Sequence, residues 1–280
     1  MMHPYGMTKD ARPAGAGRGA LRPGADEARN QARAIELFQL AFMQAAGARL
    51  RPQDYALKGG GNLRFFLKSG RRSADIDLDY LGGNFPAFGE NVNELLGGDT
   101  IPRLLRLREI ALSDVRLRKN TDTTKRWMMK LAGTGMPDAT TKVEFSNRGA
   151  SAEPVLESAD AELAGRLGGV AVRLNHYPPP VAIAQKVDAL CDRTQNEPRD
   201  VFDLDHLIRQ YAGALTAAVI DVERIRRAAA VAESIGYERY QELVEPYLDE
   251  TVVDLYGGAQ AWLDMQIRVI TRLRERAEGE

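Results

Sequence analysis

Apolar and polar positions recur with different periods along the chain, and the periods divide it into elements. From Asn30 onward, Ile35, Leu37, Phe38, Leu40, Ala41 and Phe42 return at helical spacing and stop before Gly47, which predicts a helix. "DYALKGG" reads as a short strand that breaks into glycine, and "NLRFFLKSG" as one or two helical turns. In "ADIDLDYL" acids alternate with apolar residues, the period of a strand with two unlike faces. Helical spacing resumes over 85–108, with a break expected at Gly97-Gly98. Three strand-like runs follow, "LSDVRLRKN", "KRWMMKLAG" and "TTKVEFSNR"; turn residues separate them and predict an antiparallel meander. A further strand, "GGVAVRLN", leads into "HYPPP", whose prolines are expected to stop regular structure and mark a domain joint.

Beyond Val181 the chain reads as helix: "VAIAQKVDALCDR", "RDVFDLDHLIRQYA", the stretch 216–234 and a long segment near 258–276. Residues 1–28, rich in Gly, Ala, Arg and Pro, carry neither period and are expected to form a disordered tail. The expected class is α+β, with a mixed-sheet domain over 29–177 and an all-helical domain over 178–280.

Composition narrows the function more than the fold. A net charge of −1 excludes a surface that is basic throughout, so a nucleic-acid partner would need a local patch. One cysteine, Cys191, excludes an internal disulfide framework. His3, His176 and His206 lie far apart in sequence, and no Cys/His zinc spacing exists. No apolar run reaches the roughly 18 residues of a membrane span, and the N-terminus lacks the apolar stretch of a secretory signal. A cytoplasmic location with no membrane partner is expected.

The chemistry concentrates in "LKGGGNLRFFLKSGRRSADIDLDYLGG", residues 57–83. Asp75, Asp77 and Asp79 share parity and would project from one strand face, with Ile76, Leu78 and Tyr80 on the other. Adjacent like charges need a cation between them, and Mg²⁺ takes carboxylate oxygens together with substrate phosphates. A solvated edge strand is the alternative. Gly59, Gly60 and Gly61 stand between a strand and a helix, where bare backbone N–H groups attract anions; a simple tight turn would also want glycine there. The run lacks the spacing of a P-loop and of a dinucleotide fingerprint. Ser73 is expected to hydrogen-bond the glycine turn. "TKVEFSNR" places Glu144 alone between apolar residues, where it needs a cation, either a metal or a side chain such as Lys142 or Arg148.

Strand, Gly-Gly, helix and then a strand with Asp-x-Asp together resemble the core of the polymerase-β-like nucleotidyltransferase superfamily. More closely, the segment resembles the opening motif of the AbiEii/AbiGii toxin family, which includes MenT-type toxins. Lys58, Gly59, Gly60 and Leu63 match its first part, and Arg71, Ser73, Asp75, Ile76, Asp77 and Leu78 its second. Gly61 and Asn62 depart from the small pair usual there. Lys186 in "VAIAQKVDAL" and Arg199, Asp200, Asp203 and Leu204 in "PRDVFDLDHL" match the later motifs, so the resemblance covers about residues 30–210.

The resemblance implies a toxin of a toxin–antitoxin system that transfers NMP from an NTP to RNA, at the tRNA 3′ end, with a cognate antitoxin as partner. It implies catalytic roles for Asp75, Asp77, Lys186 and Asp203. Nucleotide contacts would come from Lys58, Gly59, Gly60, Arg71, Ser73 and Arg199. Mg²⁺ or Mn²⁺ would be held by Asp75, Asp77 and Glu144. For RNA, the basic residues Arg116, Arg118, Lys125 and Arg126 lie on two successive strands, with Arg116 and Arg118 expected on one face. Trp127 would either stack on a base or fill the core. Two other readings stay open: a same-fold enzyme modifying a protein or small molecule, and a nucleotide-binding interaction protein without turnover. An enclosed acidic pocket would favour a small cationic acceptor, and a basic track beside the carboxylates would favour RNA.

Overall fold

The computed structural model describes residues 25–134, 136–150 and 152–279, so most of the expected N-terminal tail lies outside the described residues. Helix α1 (Ala25–Arg49) starts earlier than Asn30, and residues 25–28 belong to it rather than to a tail. From Ala34 to Ala46 it is buried on nearly every side, including Phe38, Phe42 and Met43, because strands of the sheet, residues 85–106 and residues 245–247 all pack against it.

Strand β1 (Tyr55–Lys58) turns at once into α2 (Gly59–Phe65), and the chain returns antiparallel as β2 (Ile76–Tyr80). Asn84 caps α3 (Phe85–Gly97), its side chain accepting from the Ala87 N–H at 3.1 Å. The glycine pair separates α3 from α4 (Thr100–Arg106), as expected. Strands β3 (Ile110–Asn120), β4 (Thr124–Gly133) and β5 (Met136–Ser146) form the antiparallel meander. After them come β6 (Val155–Ser158), α5 (Ala161–Arg166) and β7 (Arg173–His176), the last only the end of the expected "GGVAVRLN" strand.

At "HYPPP" regular structure stops only briefly, for β7 ends at His176 and only Tyr177 and Pro178 lie outside an element. Pro179 and Pro180 open α6 (Pro179–Asp192), where a fixed φ suits the first turn and no N–H is needed. The remaining helices are α7 (Pro198–Gln210), α8 (Ala214–Ala217), α9 (Val222–Glu233), α10 (Tyr237–Leu243), α11 (Val253–Tyr256) and α12 (Ala259–Glu278). None of the described helices is long and apolar enough to cross a membrane.

The seven strands make one sheet in the order β3-β4-β5-β2-β1-β7-β6. The pairs β2–β5 and β1–β7 are parallel and the others antiparallel, which is the mixed sheet of the expected α+β class. One apolar core lies between α1, α3, α4 and the sheet. A second gathers the C-terminal helices, and it takes in Leu63 and Leu67 of the N-terminal half. Phe66 packs against both.

A polar seam also joins the halves. The Arg72 N–H donates to the Tyr247 carbonyl and the Asp249 N–H to the Gly70 carbonyl, each at 2.8 Å. Beside them Arg64 bridges Glu36 and Asp249, while Arg72 reaches Glu36 at 3.0 Å and Glu250 at 2.6 Å. Arg64, Arg72, Glu36 and Asp249 are all buried. Buried pairs of this kind contribute little net stability, but removing one member leaves an uncompensated charge.

Candidate active site

Parallel pairing of β2 with β5 sets Asp77 directly beside Glu144, and β4 adds Arg126 next to Glu144. Side chains alternate along a strand, so Asp75, Asp77, Lys142 and Glu144 meet on one sheet face. Ile76, Leu78, Val143 and Phe145 fill the core on the other. The loop before β2 is held in place by two side chains. Gln39 of α1 donates to the carbonyls of Ser73 (2.9 Å) and Asp75 (3.2 Å), and Thr141 donates to that of Ala74 at 2.8 Å.

A cleft of about 240 Å³ opens over this face, lined by Gly59, Gly60, Arg71, Ser73, Asp75, Asp77, Lys142, Lys186, Arg193 and Arg199. Eight of these ten were expected at the site from sequence; Lys142 and Arg193 were not assigned to it. At the turn into α2, Gly59 has φ +64°, a left-handed conformation that favours glycine. A β-carbon on Gly60 would lie 2.5 Å from Ser73 Oγ. The Ser73 hydroxyl itself donates to the Asp75 carbonyl at 2.9 Å, so it braces the aspartate loop while packing on the glycine turn.

The cleft's charges are tightly arranged. The Lys142 ammonium lies 3.4 Å from Asp75 and 3.5 Å from Asp77. Burial pushes the Asp75 carboxyl above its usual range; Lys142 opposes the shift and the charge of Asp77 adds to it. Burial would lower the Lys142 ammonium, but Asp77, Asp75 and Glu144 outweigh it and hold the proton more firmly.

Behind the cleft, Asp203 is fully buried. It accepts from Arg71 through both carboxylate oxygens (2.9–3.2 Å) and pairs with Lys186 at 2.6 Å. Burial alone would raise its pKa, yet Arg71 and Lys186 keep it far below the carboxylate range. One turn earlier, Asp200 pairs with Lys186 and with Arg193, each at 2.9 Å. Two buried acids on α7 thus aim three cations at the cleft. Arg199 does not pair with Asp203, its i+4 neighbour; its ion pair is with Glu197 at 3.7 Å.

Other expected residues sit elsewhere. Lys58 does not line the cleft: its ammonium pairs with Asp79, which also accepts from the Tyr177 hydroxyl at 2.8 Å. Asp79 is thereby committed to the fold despite sharing parity with Asp77. Glu144 is bound by Arg126, with Lys142 at 4.0 Å. Among the described residues no three His, Cys, Asp or Glu side chains are grouped to hold a metal, so Asp75, Asp77 and Glu144 do not form a ready three-carboxylate cluster. A two-carboxylate site still fits a divalent ion that takes its other oxygens from phosphates and water. Asp75 and Asp77 already converge on one positive charge.

The basic strands need two corrections. Lys125 lies on the face opposite Arg126; its stem threads past Gly89, its ammonium sits 5.1 Å from the Phe85 ring, and it is buried. It is not part of a basic patch beside the carboxylates. Arg116 and Arg118 do not share a regular face either, because bulges follow Ser113 and Leu117. The shift pairs Lys119, not Arg118, with Arg126, while Arg116 pairs with Met128 and is bridged by Asp114. Trp127 is core, its indole N–H bonded to Asn93.

Residues 41–274 match the family model described as "Nucleotidyl transferase AbiEii toxin, Type IV TA system". The chain belongs to the AbiEii family of nucleotidyltransferase toxins. The toxin's fold is similar to that of Helicobacter pylori JHP933, with a TM-score of 0.55 and 20% identity over 89% of this chain and 96% of that one. It is also similar to MenT4, a nucleotidyltransferase toxin from Mycobacterium tuberculosis, with a TM-score of 0.50 and 17% identity over 91% and 89%. No curated protein is significantly similar in sequence to this AbiEii toxin. Membership makes it a nucleotidyltransferase of a type IV toxin–antitoxin system, so NTP is its substrate class and an antitoxin its counterpart.

Proposed function

We propose that the toxin transfers NMP from NTP to a hydroxyl of an RNA acceptor, the tRNA 3′ end. The observation that carries this reading is the charge of the cleft. Five cations (Arg71, Lys142, Lys186, Arg193 and Arg199) face two carboxylates and a glycine turn in one small space. Such a site attracts a polyanion and keeps two carboxylates for the reacting centre.

In this mechanism the glycine turn, Arg71, Lys186, Arg193 and Arg199 hold the triphosphate, and Asp200 and Asp203 fix Lys186 in place. The acceptor hydroxyl oxygen attacks the α-phosphorus; the bond to the β-bridging oxygen breaks, and pyrophosphate leaves with the electron pair. Glu144 orients the acceptor hydroxyl and takes its proton. Asp75 and Asp77 would hold a divalent ion, which would supply charge stabilisation for the transfer. RNA as acceptor is supported by the row Lys119–Arg126–Glu144–Asp77, which runs in register from the sheet edge to the aspartates. Arg116, opposite Met128, and Lys130, opposite Ser113, lie further along the same hairpin to one side of this row.

The test is transfer of α-labelled NTP into total tRNA by the wild type and by Asp77→Ala. Label is expected on tRNA from the wild type, with a loss of several orders of magnitude in the variant. Undiminished transfer by Asp77→Ala would overturn the carboxylate assignment. Label on protein or small molecules but not on RNA would overturn the acceptor.

A further inference from the structure

We propose that Lys142 is a resident counter-cation, occupying the place between Asp75 and Asp77 that a divalent metal must take, and that it moves to the nucleotide phosphates when metal and NTP load. This rests on the metal-dependent reading above. The geometry is specific. One ammonium lies within 4.0 Å of all three carboxylates at the site: Asp75 at 3.4 Å, Asp77 at 3.5 Å and Glu144 at 4.0 Å. Glu144 already has Arg126, so Lys142 chiefly compensates the two aspartates.

The backbone of Lys142 cannot follow a change at the site. Val143 on one side of it is fully buried, Thr141 on the other is buried and bonded to Ala74, and β5 is paired on both edges. Its four-carbon stem can move, for the side chain is 26% exposed and lines the cleft. A metal and an ammonium cannot share two carboxylates without strong repulsion. The triphosphate is the anion that could accept the displaced ammonium, since the anions lining the cleft are the aspartates themselves and Glu144 is already paired with Arg126.

Two consequences follow from linkage. Without nucleotide the toxin binds divalent metal weakly, and removing the ammonium strengthens that binding. Couplings of this kind are commonly about 5–150-fold.

The experiment is a Mn²⁺ titration of nucleotide-free toxin, read by the electron paramagnetic resonance of free Mn²⁺. It compares wild type, Lys142→Met and Lys142→Arg. The methionine variant is expected to bind at least about tenfold more tightly than wild type, and the arginine variant as weakly as wild type. Equal affinity of wild type and Lys142→Met overturns the proposal.

A second measurement needs no variant. Mn²⁺ alone should raise acetylation of Lys142 in the wild type several-fold, read by mass spectrometry, and unchanged labelling at saturating Mn²⁺ also overturns it. The two readings fail separately. If label transfer survives a chelator, metal dependence itself is wrong; if transfer needs the metal but Lys142→Met gains no affinity, only the counter-cation role falls.

Discussion

Gly60 leaves no space for a side chain, because Ser73 stands against it at the distance a β-carbon would need. Gly60→Ala is expected to push the serine and the aspartate loop apart. The cost should be about 1–3 kcal/mol of stability and most of the activity, measured by denaturant titration and label transfer. Asp203 is a different case: it touches no open space and compensates Arg71 and Lys186. Asp203→Asn should cost about 3–5 kcal/mol by leaving buried cations underpaired, and a stability within 1 kcal/mol of wild type would contradict that. Both acids of the Asp-x-Asp pair were legible from strand parity, and Lys186 and Asp203 from motif resemblance. Lys142 was legible only as a possible partner of Glu144. Its contact with Asp75 and Asp77 depends on the parallel register of β2 with β5, which no local pattern encodes.

Among the elements, the β3–β4 hairpin was easy to anticipate and its faces were not. Alternation predicts Arg116 and Arg118 together, but the bulge at Leu117/Lys119 inserts a residue and rotates Lys119 into the row of Arg126. Lys119→Ala should therefore weaken tRNA binding and lower the salt slope by about one phosphate contact, while Arg118→Ala changes it less. Equal effects of the two, measured by fluorescence anisotropy across salt concentrations, would contradict the register argument. Strand β6 was missed because its four residues are mostly exposed and pair only with the short β7, so nothing forces an alternating pattern. Pro179 and Pro180 misled because proline, a stop inside a helix, suits a helix's first turn.

At the scale of the whole molecule, two buried histidines make stability depend on pH. Burial holds His176 and His206 below their ordinary value, so the fold favours their neutral forms. Their contribution is fully present above about pH 6.5 and is lost as pH falls through the lowered folded values. The melting temperature should thus hold above about pH 6.5 and fall as the pH drops below it, and a flat profile there by calorimetry would contradict it. A second loss belongs at lower pH. Burial would raise Asp249, but hydrogen bonds from Thr251 and Arg64 bring it down to about 2, so its contribution fades from the usual carboxylate range toward that value.

Asp249 also lies in the polar seam, which ties the loop carrying Arg71 to residues 247–250. Every residue lining the cleft has been synthesised once the ribosome passes Arg199, yet the loop gains its anchor only after Asp249 has left the exit tunnel. A nascent toxin should therefore be harmless for most of its own translation. Ribosome-arrested chains stopped with residues through 240 exposed are expected to bind no labelled NTP, and chains with residues through 278 exposed, which add both the seam and α12 packed on α7, are expected to bind it.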